Sequence, residues 1–335
     1  MLENSINRCL AMSQEKLIQL LSDGQFHTGS EVGELLGVTR AAIWKQIQKL
    51  DDLGLEAESI KGKGYRLKNK IDLLSRDKIL SRLGSLSADV DDIEVHSVVG
   101  STNDLLLAAA SQKRESGLIC LAEFQNSGRG RRGKTWVSPY GGNIYMSLLW
   151  RFSGGASALE GLSLVVGLAI ARALESEGLP RSSLKWPNDV HVDGKKICGV
   201  LIEMAGDMTG PCSVVIGIGV NVHMPKTSGS EIDQPWTDLS SELNEAVDRN
   251  AVVGALIENL IPMLKGFEVK GFAGFRDDWM RYDGYRDQKI NLIMGDKTVP
   301  GIERGIDSTG GLMVELESGK VEVFKGGEVS LRLSQ

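Results

Sequence analysis

Residues 118–136, LICLAEFQNSGRGRRGKTW, place a basic glycine-rich loop directly after a strand of mostly apolar residues. Between Gly128 and Lys134 the loop contains three glycines and four cationic residues. Glycine lets a backbone approach a ligand closely, and guanidinium groups are permanently charged, forked donors for carboxylate or phosphate. The loop therefore predicts a site for a small acid and its activated form, shielded from water when the loop closes.

Trp136, at the end of this loop, offers an aromatic wall for an adenine or for a ring-shaped substrate. Binding of nucleic acid is the competing use of such cations, but the position of the loop between core strands disfavours it. A solvated run of charges usually lacks glycine, because glycine adds disorder without adding charge.

A second polar group lies further along the chain, in KWPND at residues 185–189 and in the strand that begins at Lys196. The pattern predicts a strand from Leu184 to Val190 that is interrupted by proline and followed by a hairpin. Lys196 would then face Asn188 and Asp189. There its ammonium would neutralise charge that develops on a phosphate, with Asp189 near a metal or an amine. A lysine that is merely solvated is the alternative.

Two strand ends bring further polar groups toward this region. A strand before Gly100 runs into Ser101, Thr102 and Asn103 at the start of a helix, where free backbone N–H groups bind an anion or a polar head group. Plain capping of the helix by Ser101 or Thr102 is the alternative. A later strand ends in GIGVN and adds the amide of Asn221.

The first seventy residues predict a winged helix-turn-helix that binds DNA. The spacing of apolar residues predicts three short helices, at residues 14–21, 30–36 and 40–50. The helix-turn-helix covers about residues 29–48. Polar, cationic and aromatic side chains share the exposed side of the third helix: Arg40, Trp44, Lys45, Gln48 and Lys49. Residues 60–66 form a hairpin whose Lys61 and Lys63 suit phosphate contacts. A three-helix module that binds a protein is the alternative.

The rest of the chain is predicted to be a multi-domain α+β protein. A helical connector at residues 71–83 leads into a mixed sheet with helices, including one long helix from Ala156 to Glu177. Short strands separated by turns after Gln288 indicate a C-terminal SH3-like barrel. The predicted domains are the winged helix-turn-helix at 1–70, a central domain at 71–282 and the barrel at 283–335.

Composition excludes several classes of protein. The net charge of −6 over 335 residues argues against a protein that coats nucleic acid over its whole surface. We find neither an uninterrupted apolar run near the roughly 20 residues of a bilayer span nor the apolar stretch of a secretory signal. A cytoplasmic protein without a membrane role is expected. The four cysteines are scattered, without zinc-ligand spacing, and read as reduced, mostly buried thiols.

Taken in order, these motifs resemble those of the biotin–protein ligase family. They are GSTN at 100–103, the run from Gly128 to Trp136, KWPND at 185–189, Lys196, and GIGVN at 217–221. The match extends from about Asp92 to the C-terminus. With the winged helix in front, the chain is similar to the bifunctional bacterial members of the family that also repress the biotin operon.

The resemblance implies two half-reactions. Biotin and ATP give biotinyl-5′-adenylate and pyrophosphate, and a lysine of the biotin carboxyl carrier protein of acetyl-CoA carboxylase then attacks the mixed anhydride. The enzyme contributes positioning and charge stabilisation, with Mg²⁺ screening the phosphates. The adenylate would also promote a homodimer, which places two winged helices on palindromic operator DNA. The C-terminal barrel would help to hold ATP and the carrier protein.

The resemblance also assigns roles to residues. The catalytic residues are Lys196, as the principal cation, Arg129 and Asp189. The biotin site is lined by Ser101, Thr102, Asn103, Gln125, Arg129, Gly130, Arg131 and Lys196. The adenylate and the metal are served by Lys134, Trp136, Asn188, Asp189 and Asn221. Lys134 stands where relatives often have arginine, so it keeps the charge but loses the bidentate geometry.

Two other functions stay open. A lipoate or related acyl ligase would use the same sheet, although the loop from Gly128 to Trp136 favours biotin. A non-catalytic regulator that senses biotin would keep the binding site without cleaving ATP. The intact loop and Lys196 oppose this second alternative.

Overall fold

The computed structural model describes residues 13–179, 181–206, 210–230, 232–294, 296–326 and 329–333. In chain order the helices are α1 (ending at residue 21), α2 (Gly29–Leu36), α3 (Arg40–Gln48), α4 (Arg76–Leu83), α5 (Thr102–Ser111), α6 (Leu162–Ser176), α7 (Lys226–Gly229), α8 (Leu239–Leu243), α9 (Arg249–Lys270) and α10 (Arg276–Tyr282). The strands are β1 (Ala57–Ile60), β2 (Gly64–Leu67), β3 (Asp92–Val99), β4 (Leu118–Gln125), β5 (Ile144–Phe152), β6 (Ser182–Lys185), β7 (Asp189–Val192), β8 (Lys195–Ala205), β9 (Cys212–Val220), β10 (Lys289–Met294), β11 (Lys297–Ile306), β12 (Leu312–Glu315), β13 (Val321–Phe324) and β14 (Val329–Leu333).

The N-terminal unit has the predicted three helices and hairpin. Thr28 caps α2 in a capping box with Glu31, and Gly37 ends this helix in the left-handed conformation, so the chain can turn into α3. The spacing predicts that α3 extends to Leu50, but the helix ends at Gln48. A 3₁₀ turn at Asp51–Leu53 follows and closes at Gly54, which is also left-handed.

One residue of the central domain completes the core of this N-terminal unit. Tyr140 is buried among Leu17, Ile43 and Leu50, and Phe124 packs against the same cluster. The hydroxyl of Tyr140 lies 2.8 Å from the hydroxyl of Ser97 on β3. The winged unit is therefore held to the central sheet by an aromatic side chain inserted into it.

The connector at residues 71–83 is helical only from Arg76, so the prediction of a helix over its whole length was wrong. The side chain of Ser75 caps α4 by accepting from the backbone N–H of Lys78 (3.4 Å). Before Ser75 the backbone finds its partners elsewhere: the N–H of Leu74 donates to the carboxylate of Glu123 (2.6 Å). Those tertiary contacts replace the helical hydrogen bonds.

The central sheet has the strand order β3-β4-β5-β9-β8-β7-β6, with β3 and β4 parallel and the other pairs antiparallel. Alternation along β4 sends Ile119 and Leu121 into the main core with α6 and α9. Leu118 and Cys120 face the other way, toward α5. Helices therefore cover both faces, and the loops at one end of the sheet are left to form a site.

The long helix predicted from Ala156 to Glu177 is broken. A 3₁₀ turn at Ala156–Leu159 is separated from α6 by Gly161, whose φ of 81° is left-handed. A Cβ at Gly161 would lie 2.6 Å from the side chain of Phe272, so the close packing here also requires glycine. By length and composition alone, 156–176 is apolar enough to cross a membrane, but most of it is buried as the core helix of this domain.

The strand predicted from Leu184 to Val190 is in fact two strands. β6 ends at Lys185 and β7 begins at Asp189, and the two pair antiparallel around a cis Trp186–Pro187 peptide bond. Since the chain reverses at the proline, Lys185 and Asp189 become direct neighbours across the hairpin. The turn into β8 at Gly194 follows as predicted.

The C-terminal unit is a five-stranded antiparallel sheet with the order β13-β12-β11-β10-β14. It lies against the β6–β7 hairpin, where the indole N–H of Trp186 donates to the carbonyl of Gly310 (3.0 Å). The predicted α+β architecture is thereby confirmed. Cys120, Cys198 and Cys212 are free buried thiols, as predicted, and Cys9 lies outside the described residues.

Candidate active site

Lys196 forms an ion pair with Asp189 at the centre of the site. The distance from Lys196 Nζ to Asp189 Oδ1 is 2.8 Å, and the two side chains are only 14% and 18% exposed. A bulge in the β7–β8 pairing after Val190 sets the register in which Lys196 pairs with His191. The predicted meeting of Lys196 and Asp189 is thus present in the structure.

Arg131 brings the basic loop down onto the same hairpin. Its Nη1 donates to Asn188 Oδ1 (2.9 Å), while the Asn188 amide donates to the carbonyl of Val200 (2.6 Å). Burial lowers the pKa of Arg131, although the nearby Asp189 opposes that shift. A guanidinium removed from water in this way favours an anionic ligand beside it.

The loop itself is a short closed hairpin. Its stem is formed by hydrogen bonds from Trp136 N to Gly128 O (2.9 Å) and from Gly130 N to Lys134 O (2.7 Å). Residues 128–135 fit the letters of the phosphate-binding pattern GxxxxGK[ST], but that motif requires a helix to begin at its end. Here Lys134 is extended and the chain runs on toward β5, so the loop is of a different kind.

Trp136 lies across the sheet next to Lys196. A Cβ at Gly219 would be 2.5 Å from the indole, and one at Gly199 would be 3.0 Å from it; these two glycines are neighbours in the β8–β9 pairing. Lys196 Nζ is 5.5 Å from the centre of the ring system. Among the described residues the indole N–H has no partner. Trp136 therefore lies beside the Lys196–Asp189 pair, and its role as a wall for a bound ring stays a prediction.

Ser101, Thr102 and Asn103 are all buried at the start of α5. Ser101 occupies the N-cap position, yet its side chain makes no capping hydrogen bond, so plain capping does not account for it. Gln125 Oε1 accepts from the backbone N–H of Thr102 (2.9 Å). Gly217 leaves room for Asn103, since a Cβ there would lie 2.3 Å from Asn103 Oδ1.

Arg129 is paired with two carboxylates. Its guanidinium binds Asp104 through both terminal nitrogens, at 2.9 and 2.6 Å, and lies 3.3 Å from Glu203. Glu203 also accepts from the amide of Asn103 (2.7 Å). Neither acid was predicted to belong to the site, because an acidic residue on a helix or at a strand end usually indicates only solvated surface.

A second segment borders the site and was also not predicted. The backbone N–H of Lys196 donates to Pro235 O (3.0 Å), and Thr237 N donates back to Lys196 O (2.9 Å). Lys134 reaches this segment through an ion pair with Asp233 (3.1 Å). Trp236 packs on Gly229 and donates its indole N–H to the carbonyl there (3.1 Å).

The buried Asn221 donates its amide to Thr237 O (3.0 Å), and its Oδ1 has no partner among the described residues. Its contact with an adenylate stays a prediction. The described part of the chain contains no group of three His, Cys, Asp or Glu side chains that would hold a metal.

The proposed DNA face is exposed. Trp44, Lys45, Gln48 and Lys49 lie on the open side of α3, and the side chain of Arg40 lies outside the described residues. Lys61 and Lys63 are exposed at the tip of the β1–β2 wing. Lys63 and Arg66 lie over the ring of Phe26, at 5.7 and 4.5 Å, which braces the wing beside the helix-turn-helix.

Three families match consecutive parts of the chain. Residues 13–66 match an HTH domain, residues 95–221 match the biotin/lipoate A/B protein ligase family, and residues 287–332 match the biotin protein ligase C-terminal domain. These spans follow the three structural units in order.

Similar proteins are found among curated relatives and solved structures. The bifunctional ligase/repressor BirA of Salmonella typhimurium is 41% identical over 319 residues, which cover 95% of this chain and 97% of that protein. The protein of the same name from Bacillus subtilis is 30% identical and covers 93% and 96%. The biotin protein ligase from Aquifex aeolicus in complex with biotin and ATP is 30% identical, with a TM-score of 0.63, and covers 73% of this chain and 100% of that chain.

Proposed function

The chain belongs to the biotin protein ligase family in its bifunctional ligase/repressor form, and we infer from this that it couples biotin transfer to repression. It activates biotin with ATP to biotinyl-5′-adenylate and transfers the biotinyl group to a carrier-protein lysine. It also acts as a DNA-binding repressor through its N-terminal unit. The observation that carries the ligase function is the Lys196–Asp189 pair beside the basic loop and Trp136.

In the first half-reaction an oxygen of the biotin carboxylate attacks the α-phosphorus of ATP, and the bond from that phosphorus to the pyrophosphate oxygen breaks. Negative charge builds on the transferring phosphate. We assign its stabilisation to Lys196 and Arg131, because both are cations largely removed from water, where charges interact strongly. Asp189 holds the ammonium of Lys196 in place.

In the second half-reaction the neutral amine of the carrier lysine attacks the acyl carbon, AMP leaves with the electron pair of the anhydride bond, and the nitrogen loses a proton to water as the amide forms. The mixed anhydride is sensitive to water. We assign its protection to the loop from Gly128 to Trp136 and to the segment around Trp236, which border the site.

The remaining site residues divide between the two ligands. We propose that Ser101, Thr102 and Asn103, with Gln125, bind the polar head group of biotin, since the first three present buried hydroxyl and amide groups and Gln125 is half-buried beside them. For the adenylate we propose the set Lys134, Trp136, Asn188, Asp189 and Asn221. Mg²⁺ supplies neutralisation of phosphate charge and would arrive on ATP. Asp189 is the carboxylate that would face it, but it is already paired with Lys196, so the residues that the structure describes would contribute few ligands.

We further propose that the protein is cytoplasmic and that its domain boundaries lie after residues 70 and 282. The carrier protein that it biotinylates is the carboxyl carrier protein of acetyl-CoA carboxylase. We also propose that it forms a homodimer when the adenylate is bound. Strand β8 supports the dimer, because residues 201–205 extend beyond the paired part of β7 and have no strand on that side within the described ranges. An open strand edge can pair with a second copy about a two-fold axis.

The first experiment is biotin-dependent exchange of labelled pyrophosphate into ATP by the purified protein. Lys196→Ala is expected to lower the exchange rate by about 10²–10³, because it removes the principal cation from the transferring phosphate. Lys195→Ala, which changes the exposed neighbouring lysine, is the matched control and should exchange normally. Lipoate replaces biotin in a parallel assay.

Exchange with lipoate instead of biotin would favour the lipoate ligase, and biotin binding without any exchange would favour the regulator that only senses biotin.

Repression is tested by binding to DNA from the promoter of the biotin genes, with and without biotinyl-adenylate. Equal affinity in the two states would contradict the coupling of repression to catalysis.

A further inference from the structure

Arg129, in the basic loop, is paired with two carboxylates. Asp104 on α5 takes both of its terminal nitrogens, and Glu203 on β8 approaches the same guanidinium from the sheet. The hydrogen bond that Arg129 donates to Asp104 raises the pKa of Arg129, with Glu203 adding to the effect. Because two carboxylates neutralise the guanidinium and accept its hydrogen bonds, Arg129 would bind a phosphate only weakly.

Arg129 and Arg131 of the same loop have different partners. Arg131 donates to the neutral amide of Asn188, and burial lowers its pKa where the carboxylates raise that of Arg129. The two arginines, separated by one residue, thus differ in their surroundings: two carboxylates bind Arg129 directly, whereas Arg131 is more deeply removed from water and donates to an amide near Asp189. One is suited to bind an anionic ligand, and the other is suited to hold the loop.

Glu203 links this anchor to the buried polar cluster at the start of α5. Its Oε2 accepts from the amide of Asn103, and Asn103 Oδ1 accepts from the hydroxyl of Ser147 (2.6 Å). The Ser147 hydroxyl also lies 2.7 Å from that of Thr102. The amide of Asn103 can therefore take only one orientation, because one end needs an acceptor and the other needs a donor.

We propose that Asp104 and Glu203 are positioning residues that anchor the basic loop through Arg129 and fix the orientation of Asn103. This rests on the proposed ligase function for its link to biotin, but the anchoring of the loop does not. The charge on the transferring phosphate is then met by Arg131 and Lys196, and Arg129 works by holding the loop over the site.

The anchor predicts how the ligands behave. The basic loop is held at Arg129 and, less firmly, by the exposed Lys134–Asp233 pair. Because both ion pairs keep the loop closed over the site, a bound adenylate is released slowly. Loss of the anchor should open the loop at the side of α5 while Arg131 and Lys196 remain. Biotin affinity and adenylate retention should therefore suffer more than the chemical step.

The first test is limited trypsin cleavage of the protein without ligands, with the products mapped by mass spectrometry. Cleavage after Arg131 and Arg132 in Glu203→Gln and in Asp104→Asn is expected to be about five-fold faster than in the unchanged protein, as for loss of one ion pair. Asp278→Asn is the matched control, because it breaks the Arg172–Asp278 pair of similar exposure and distance away from the loop. Equal loop cleavage in all four proteins would overturn the proposal.

The second test is a double-mutant cycle with Arg129→Lys, which keeps the charge and the trypsin site but loses the forked geometry. Glu203→Gln should accelerate loop cleavage less in the Arg129→Lys background than alone. Full additivity would show that Glu203 does not act through Arg129 and would overturn the anchor.

Kinetics separate this proposal from the proposed function. Glu203→Gln should raise the KM for biotin about ten-fold and speed the release of preformed adenylate, with a smaller effect on kcat. A protein that shows the cleavage pattern but no biotin-dependent exchange would keep the anchor and lose the ligase assignment. Unchanged biotin KM and unchanged adenylate release in an active Glu203→Gln enzyme would overturn the positioning role.

Discussion

The guanidinium of Arg249 lies 2.7 Å from the carboxylate of Glu123, and both side chains are 4% exposed. The pair also holds the connector between the winged unit and the sheet, since Glu123 accepts from Leu74 N and Arg249 donates to Asp72 O. Glu123 lies on β4, two residues before Gln125 in the candidate biotin site. A single buried ion pair thus joins the connector, the helix α9 and the strand that enters the site.

Glu123→Gln is expected to lower the free energy of unfolding by about 3–5 kcal/mol, because it leaves the buried charge of Arg249 without a counter-ion. Chemical denaturation at neutral pH measures the change. Glu58→Gln is the control, because it breaks the Arg66–Glu58 pair, which is far more exposed than the Arg249–Glu123 pair. This variant should lower the free energy of unfolding by less than about 1 kcal/mol. Similar losses in the two variants would show that burial does not decide the strength of the Arg249–Glu123 pair.

Gly219→Ala should displace Trp136, because the added methyl carbon would lie 2.5 Å from the indole and this is too short for any side-chain contact. We expect the KM for ATP to rise about ten-fold or more, as for overpacking that costs 1–3 kcal/mol, and the tryptophan emission to change. Gly210→Ala is the control, since a Cβ there meets none of the described residues within 4 Å. An unaltered KM in Gly219→Ala would remove Trp136 from the proposed ligand wall.

Stability should depend on pH through His191, which is buried on β7. Burial, with a smaller contribution from Lys185, lowers the pKa of His191 to about 4. Between pH 6.5 and pH 4 the unfolded chain binds a proton that the native protein does not, so stability falls as the pH falls through this range. The loss is on the order of 3 kcal/mol. Denaturation of His191→Gln at several pH values should show a flatter profile over this window, and an identical slope would refute the assignment.

Lys61→Ala should weaken DNA binding in a way that depends on salt, because Lys61 is exposed at the tip of the wing. Loss of one phosphate contact reduces the slope of log affinity against log salt by about 1. Mixed-sequence duplex DNA suffices, since this part of the binding does not read bases. Lys297→Ala, an exposed lysine of the C-terminal sheet, is the control. Equal slopes for the two variants would show that Lys61 makes no phosphate contact.

Sequence patterns predicted those parts of the molecule that are fixed by neighbours close along the chain. The winged unit follows from apolar spacing over short helices, and the Lys196–Asp189 meeting follows from two strands joined by a tight turn. Trp136 was predicted as an aromatic wall because it ends the glycine-rich loop. The position of Trp136 across Gly199 and Gly219 could not be predicted, because it depends on the pairing of β8 with β9.

The failed predictions depend on partners far away in the sequence. The helix break at Gly161 requires Phe272, more than a hundred residues later, and the extended connector requires Glu123. Asp104 and Glu203 gave no signal, since their significance arises only when α5, β8 and the basic loop meet around Arg129. Local periodicity does not contain such long-range contacts.

Tyr140 makes the winged unit less separable than three consecutive domains suggest. Its ring, with that of Phe124, fills part of the core of the N-terminal unit, although both residues belong to the central domain. A ligase made by deleting the first seventy residues would leave two aromatic rings facing water. Polar substitutions at these two positions, outside the deleted part, would lower the cost of losing the winged unit.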